Sequence, residues 1–260
     1  MLLAAGAVGL LLYSAVSLSE RRGAFVSAVT HEMRTPLTTF KLYAEMLAAG
    51  IVSEPAKRSA YLNVLCSEAN RLSHLVENVL AYARLERGSA RRRIERLRLA
   101  DLLDRVQPRL EEQAERSGMK LVVDAEARAL ETIVHVDSAA VEQILFNLVD
   151  NACKYAGDAA EKTIHLEALP DNRFAMLRVR DHGRGISAGA ARKLFKPFSK
   201  SAQEAAHSAP GIGLGLALCR RLSRSIGGDL RLSQIQGSGA CFELRLPLSA
   251  RSDGAALSSI

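Results

Sequence analysis

Apolar residues recur along the first third of the chain at intervals of three and four. Val26, Val29, Met33, Leu37, Phe40, Ala44 and Leu47 form one line, and Leu62, Leu65, Ala69, Leu72, Val76, Val79 and Ala83 form a second. This spacing predicts two long amphipathic helices. The first ends near Ala49, before Gly50, and the second runs from about Ala56 to Glu86. The turn between them, Ile51-Val52-Ser53-Glu54-Pro55, is short, so the pair folds back as an antiparallel hairpin. One hairpin cannot bury two such stripes, and a dimeric four-helix bundle is expected. Beside Pro36 the pattern slips into two successive four-residue steps, Val29–Met33–Leu37. A stutter at a residue without a backbone donor predicts a bend, either a static kink or a point where motion can act.

Beyond Gly88-Ser89-Ala90 the texture changes to mixed α/β. Leu97 to Arg116 reads mainly as helix, and Lys120–Val123 and Thr132–Val136 read as short strands. Val141, Ile144, Leu145, Leu148, Val149 and Ala152 give residues 138–155 one apolar helical face. Ile164, Leu166 and Ala168, then Leu177 and Val179, alternate with polar residues as half-buried strands. A glycine-led helix runs to about Ile226. Leu230 and Leu232, then Phe242, Leu244 and Leu246, form two more strands. Pro247 closes the pattern, and Arg251 to Ile260 reads as a disordered tail.

Composition narrows the classes. At 260 residues, 48% hydrophobic and 24% charged, the chain is globular and long enough for two small domains. The net charge of +7 is mostly local, because residues 84–98 hold seven arginines against Glu86 and Glu95. No aromatic residue interleaves those arginines, so a solvated linker face is favoured over a docking surface for acidic lipid or protein. Nucleic-acid binding is excluded as a partner class. Cys66, Cys153, Cys219 and Cys241 have no metal-ligand spacing and are expected as reduced, buried thiols.

Residues 1–18 carry no side-chain charge and would span about 27 Å as a helix, barely a hydrocarbon core. Arg21 and Arg22 follow, which favours a membrane anchor with the rest of the chain in the cytoplasm. A cleaved signal peptide and the second span of a longer protein are the competing readings. No sizeable sensor or relay domain fits between this segment and His31, and no receiver-type domain follows the last strand, so any receiver is expected on a separate protein.

Candidate chemistry lies at five places. His31 is followed by Glu32 and, after Met33-Arg34, by Thr35-Pro36. It lies about 200° around the helix from Val29 and Met33, away from the apolar seam. A neighbouring carboxylate can hold one ring nitrogen and leave the other nucleophilic. Asn147, Asn151 and Lys154 share a polar face of the 138–155 helix, a set that suits a metal–phosphate group. Asp181-His182-Gly183-Arg184-Gly185 ends a strand, with a carboxylate able to accept from an exocyclic amine. Phe195-Lys196-Pro197-Phe198 precedes an uncommitted segment, Ser199–Pro210, with the character of a mobile lid. Gly211-Ile212-Gly213-Leu214-Gly215 then opens a helix, where glycine amides can hold an anion. Each of these patterns alone also has a bland reading: a surface histidine, a polar helix face, a plain turn or a helix-packing glycine run.

In this order, the five patterns resemble the histidine, asparagine, aspartate–glycine, phenylalanine and glycine-rich boxes of sensor histidine kinases of two-component systems. The resemblance covers about residues 20–248. It implies an α+β multidomain chain: a membrane helix at 1–19, a dimerisation and phosphotransfer hairpin at 20–88 and a basic linker at 89–98. An ATP-binding α/β sandwich at 99–248, with helices on one sheet face, and a tail at 249–260 complete it. It further implies that His31 takes the γ-phosphate of ATP, with Glu32 as general base. Asn147 would ligate Mg²⁺, Asn151 and Lys154 would contact phosphates, and Tyr155 would pack on the base. Asp181 would bind the adenine amine, Gly183 and Gly185 would shape that pocket, and Gly211, Gly213 and Gly215 would hinge the lid. The phosphoryl group would pass to an aspartate of a response regulator. The spacing of Glu32 and Thr35 matches members that also dephosphorylate their regulator. The implied partners are a second copy of the chain, that regulator and the inner membrane. The rival readings are a nucleotide-driven clamp, a non-catalytic dimeric adaptor and a phosphatase-biased kinase.

Overall fold

A computed structural model describes residues 2–87, 93–171, 173–197, 213–233 and 238–249, with the side chains of residues 2–22 and of Ala24 outside the description. Two compact units meet in sequence at Ala83 and Arg84.

The first unit is the hairpin. Helix α1 spans Leu2–Ala48 and α2 spans Pro55–Glu86. Both ends fall within a residue of the periodicity-based expectation. Three cross-helix pairs set an antiparallel register. Phe25 stacks on Tyr82 with ring centroids 5.7 Å apart, and Tyr43 meets Tyr61 edge-on at 4.6 Å. Between them Arg71 Nη2 reaches Glu32 Oε2 at 3.5 Å. Pro36 lies inside α1 and is buried. No residue of α2 is buried, and Val26 and Leu37 of the expected α1 seam are 60% and 57% exposed. The apolar stripes are therefore real, but a single hairpin leaves them largely uncovered. The expected membrane helix at 1–19 falls where side chains lie outside the description. Among the described residues no helix is long and apolar enough to cross a membrane.

The second unit is a sandwich. Strands β1 (Ile94–Arg98) and β3 (Ile133–Asp137) form an antiparallel pair. Strands β2 (Lys120–Ala125), β4 (Thr163–Pro170), β5 (Phe174–Arg180), β6 (Asp229–Ser233) and β7 (Cys241–Pro247) form a sheet of order β2-β4-β5-β7-β6. β2 and β4 run parallel and the other pairs antiparallel. Helices α3 (Leu99–Arg116), α5 (Ser138–Ala156) and α7 (Gly215–Ser225) join short helices α4 (Ala127–Leu130) and α6 (Ala188–Ala191). Ile164, Leu166, Leu177, Leu230 and Leu244 on the strands are fully buried, as are Leu102, Ile144, Leu145 and Leu218 on the helices. Each such side chain contributes about 1.5–3 kcal/mol of transfer free energy. The alternation along β4 and β5 gives the sheet one face toward the helices, as expected.

β1 corrects the sequence reading, which began the helix at Leu97. Residues 94–98 are extended and pair with β3, and the helix starts at Leu99. Leu97 is the only buried residue of β1, so the strand has no alternation to betray it. Cys153, Cys219 and Cys241 are buried as expected, whereas Cys66 is exposed on α2.

Candidate active site

Candidate residues fall on both units, and each set is described by itself. On the hairpin, His31 and Thr35 are exposed on α1, and Glu32 is half-buried. The imidazole is exposed, and the helical angle of position 31 sets it about 200° from Val29 and Met33. Glu32 is engaged by Arg71 of α2 rather than by the His31 ring. Arg71 also faces Glu68 at 3.6 Å. Nothing in the local sequence signals Arg71, because its approach depends on hairpin register.

On the sandwich, Asp137 opens α5 by accepting the backbone N–H of Ala140 at 3.3 Å, an N-cap that fixes where the helix starts. Asn147 is then buried one face away from the core stripe. Its Nδ2 donates to the Gln143 carbonyl at 2.8 Å. Its Oδ1 is turned toward the start of α7, where a Cβ placed on Gly215 would lie 3.4 Å from it. One turn on, Asn151 has a buried Nδ2 that makes no hydrogen bond among the described residues. An orphaned buried donor costs about 1–3 kcal/mol, which suits a position that meets a ligand. Lys154 pairs with Asp150 one turn back on α5, and Asp150 also accepts from Gln113 at 3.1 Å. The structure thus gives Lys154 a partner on its own helix, one that the i,i+4 spacing could have revealed. Tyr155 is exposed on the same helix.

Asp181 follows β5 and is buried. Its Oδ1 accepts two backbone N–H groups, from Gly183 at 2.9 Å and from Ala240 at 3.1 Å, while its own N–H donates to the Ala240 carbonyl at 2.9 Å. Among the described residues no donor meets Oδ2, which leaves it able to accept from a ligand. A Cβ on Gly183 would lie 2.9 Å from the Tyr155 carbonyl oxygen, so the turn packs directly on the end of α5. Gly185 has φ +74° and stands against Gly239, whose φ is +108°. A Cβ on Gly239 would sit 1.9 Å from the Asp181 carbonyl oxygen. Gly239 and Ala240 therefore build the aspartate pocket, a role that the sequence reading assigned only to Gly183 and Gly185.

Phe195 lies under the guanidinium of Arg220 on α7, 4.7 Å from ring centroid to Cζ. Gly213 and Gly215 flank the start of α7. Gly211, Phe198 and the expected lid at 199–210 lie outside the described residues.

The sandwich residues fit a nucleotide with a hard divalent cation. A carboxylate oxygen suits an amine-bearing base, a buried amide donor suits a phosphate oxygen, and an amide carbonyl suits Mg²⁺. Comparison with known proteins bears on the nucleotide and not on the cation. Residues 21–88 match the His Kinase A (phospho-acceptor) domain, and residues 136–250 match the histidine kinase-, DNA gyrase B- and HSP90-like ATPase. The chain is 32% identical over 232 residues to sensor protein KdpD of Escherichia coli, covering 88% of this chain and 25% of that protein. It is 28% identical over 231 residues to sensor protein SrrB of Staphylococcus aureus, covering 89% of this chain and 39% of that protein. The chain therefore spans between a quarter and two fifths of these relatives. Among solved structures, the histidine kinase AdeS of Acinetobacter baumannii shares the fold, with a TM-score of 0.62 at 24% identity, covering 84% of this chain and 98% of that one.

Proposed function

The chain belongs to the sensor histidine kinases, and from that premise we propose that it phosphorylates itself on His31 with ATP and passes the phosphoryl group to an aspartate of a separate response regulator. The observation that carries this reading is the placement of His31: an exposed imidazole on α1, clear of the apolar seam, with a carboxylate beside it. Nε2 of His31 attacks the γ-phosphorus. A nitrogen–phosphorus bond forms, the bond to the bridging oxygen breaks and ADP leaves. Glu32 takes the proton from Nδ1, so the ring ends neutral. In the second step a regulator carboxylate oxygen attacks the phosphorus, the Nε2–phosphorus bond breaks, and Glu32 returns the proton to Nδ1 so that the imidazole leaves neutral.

Asp181, through Oδ2, receives the adenine amine, and Gly183 lets the base approach. Asn151 Nδ2 and Lys154 contact phosphate oxygens, the lysine after exchanging Asp150 for the ligand. Asn147 Oδ1 offers Mg²⁺ an amide ligand, and the cation's part is to neutralise charge on the phosphates. Tyr155 packs on the base, while Gly211, Gly213 and Gly215 hinge the segment over the nucleotide. Thr35, one turn from His31, positions water for dephosphorylation of the regulator.

Two chains form the working unit. The exposed apolar line of Val26, Leu37, Leu62 and Val76 supports a four-helix bundle. Residues 1–19 are proposed to anchor this dimer in the inner membrane with its catalytic units in the cytoplasm.

The test is phosphorylation of the wild-type and His31→Gln proteins with Mg²⁺ and γ-labelled ATP. Acid-labile, alkali-stable label on the wild type alone is expected. Label that persists on His31→Gln overturns the acceptor assignment, and no label on either despite ATP binding overturns the kinase reading. Clearance of phospho-regulator by Thr35→Ala at the wild-type rate removes the phosphatase role.

A further inference from the structure

The helix-free face of the main sheet carries a group of side chains that phosphotransfer does not use. Glu161 precedes β4, His165 lies on β4, and His182 follows Asp181 at the end of β5. β4 and β5 pair so that His165 faces Arg180, which puts His182 on the diagonal of the same face. The two imidazoles meet edge to face with centroids 5.4 Å apart. Glu161 Oε1 lies 3.3 Å from His182 Nε2 and 3.9 Å from His165 Nε2. One donor atom from each of the three residues falls within 4.8 Å of the other two.

Two further observations point to a ligand. His182 Nε2 is shielded from water yet makes no hydrogen bond among the described residues, although Glu161 is close. A buried ring nitrogen left this way keeps its lone pair or proton unsatisfied. On the far side of the cluster, Asp124 Oδ2 of β2 lies 3.1 Å from His165 Nδ1. A carboxylate at Nδ1 fixes the tautomer and turns Nε2 into a free acceptor, the arrangement found behind metal-bound histidines.

We propose that Glu161, His165 and His182 form a binding site for a divalent transition-metal ion of the zinc type, with Asp124 orienting His165. Two imidazoles and one carboxylate suit Zn²⁺ better than Mg²⁺ or Ca²⁺, which favour oxygen donors throughout. Bonds of about 2.0–2.1 Å in tetrahedral geometry need donors roughly 3.4 Å apart. The His182–Glu161 separation already meets that spacing, and small side-chain rotations bring His165 in. Glu161 is 57% exposed, so the ion has an entry path and keeps water in its fourth position. The site is separate from the proposed Mg²⁺ ligand Asn147 and stands or falls independently of the phosphotransfer reading.

The test is calorimetric titration of Zn²⁺ into the full chain near neutral pH, in detergent and without nucleotide. The wild type is expected to bind one equivalent more than His165→Gln or His182→Gln. Asp124→Asn, a change at an exposed position, should keep that equivalent and weaken it about 10–100-fold. Co²⁺ in place of Zn²⁺ should give visible ligand-field bands in the wild type that vanish in His182→Gln. Equal stoichiometry and affinity in the wild type and both histidine variants overturns the site. An unchanged affinity in Asp124→Asn overturns the orienting role of Asp124.

Discussion

Asp181 Oδ1 accepts the Ala240 N–H at 3.1 Å, which ties the end of β5 to the start of β7 through one carboxylate oxygen. The same oxygen takes the Gly183 N–H at 2.9 Å. One oxygen is thus structural and the other is available to a base. The two jobs separate by mutation. Asp181→Asn keeps an oxygen for both backbone donors but presents an amide N–H₂ where the acceptor was. ATP affinity should fall about 10–100-fold, the worth of one charge-assisted hydrogen bond, with the melting temperature nearly unchanged. Asp181→Ala should lose both, because two buried N–H groups are orphaned at about 1–3 kcal/mol each. Nucleotide titration and thermal melts on both variants check this.

The Gly239 backbone at φ +108° brings it against the Asp181 carbonyl, and a side chain has no room there. Gly239→Ala should cost both stability and ATP affinity, since the strand turn must move away from Asp181. A loss of several kcal/mol is expected from the combined clash and backbone strain. Gly118→Ala is the control. It also has a positive φ, of +68°, but nothing lies within 4 Å of its Cβ position, so it should cost only backbone strain, about 1 kcal/mol. Urea denaturation of the two variants separates clash from strain.

Much of this architecture is periodic and was therefore legible. The two three-four lines fixed α1 and α2 to within a residue at the turn, and the alternations in β4, β5 and β7 gave the sheet its buried face. Asp181 and the glycines stood out as candidates because they sit at element ends, where they punctuate the pattern. What escaped depends on pairing between distant segments. β1 has one buried residue, Leu97, among Glu95, Arg96 and Arg98, and only β3 makes it a strand. Gly239 reads as an ordinary turn glycine until β7 is set beside β5. Arg71 needs the hairpin register to reach Glu32. Cys66 lies within a helical pattern but off its apolar line, so it is exposed.

The cysteines divide accordingly. Burial pushes the Cys241 thiol from 9.0 up to about 11, and burial raises Cys219 and Cys153 as well. Near neutral pH an alkylating reagent should label one thiol rapidly in the folded protein, and Cys66→Ser should remove that label. The pH dependence of stability follows from the sign of the shift. The folded state holds the Cys241 proton more tightly than the unfolded state does. Its contribution is therefore full below pH 9.0 and is lost as pH rises toward about 11. Urea midpoints measured across that range should fall less steeply in Cys241→Ala than in the wild type.

Asn151 places function and stability in opposition. Its buried Nδ2 lacks a partner among the described residues, so the side chain costs free energy unless a ligand meets it, and the proposed ligand is a phosphate oxygen. Asn151→Ala removes that cost. The free variant should melt no lower than the wild type, and higher by a few degrees for each kcal/mol relieved of that penalty of about 1–3 kcal/mol. Its ATP affinity should fall at least tenfold, and the upward shift in melting temperature that saturating nucleotide gives the wild type should shrink with it. Thermal melts with and without Mg²⁺-ATP read both effects in one experiment. A variant that melts lower without nucleotide, yet gains as much from ATP as the wild type, would make Asn151 a packing residue and return the phosphate contact to Lys154 alone.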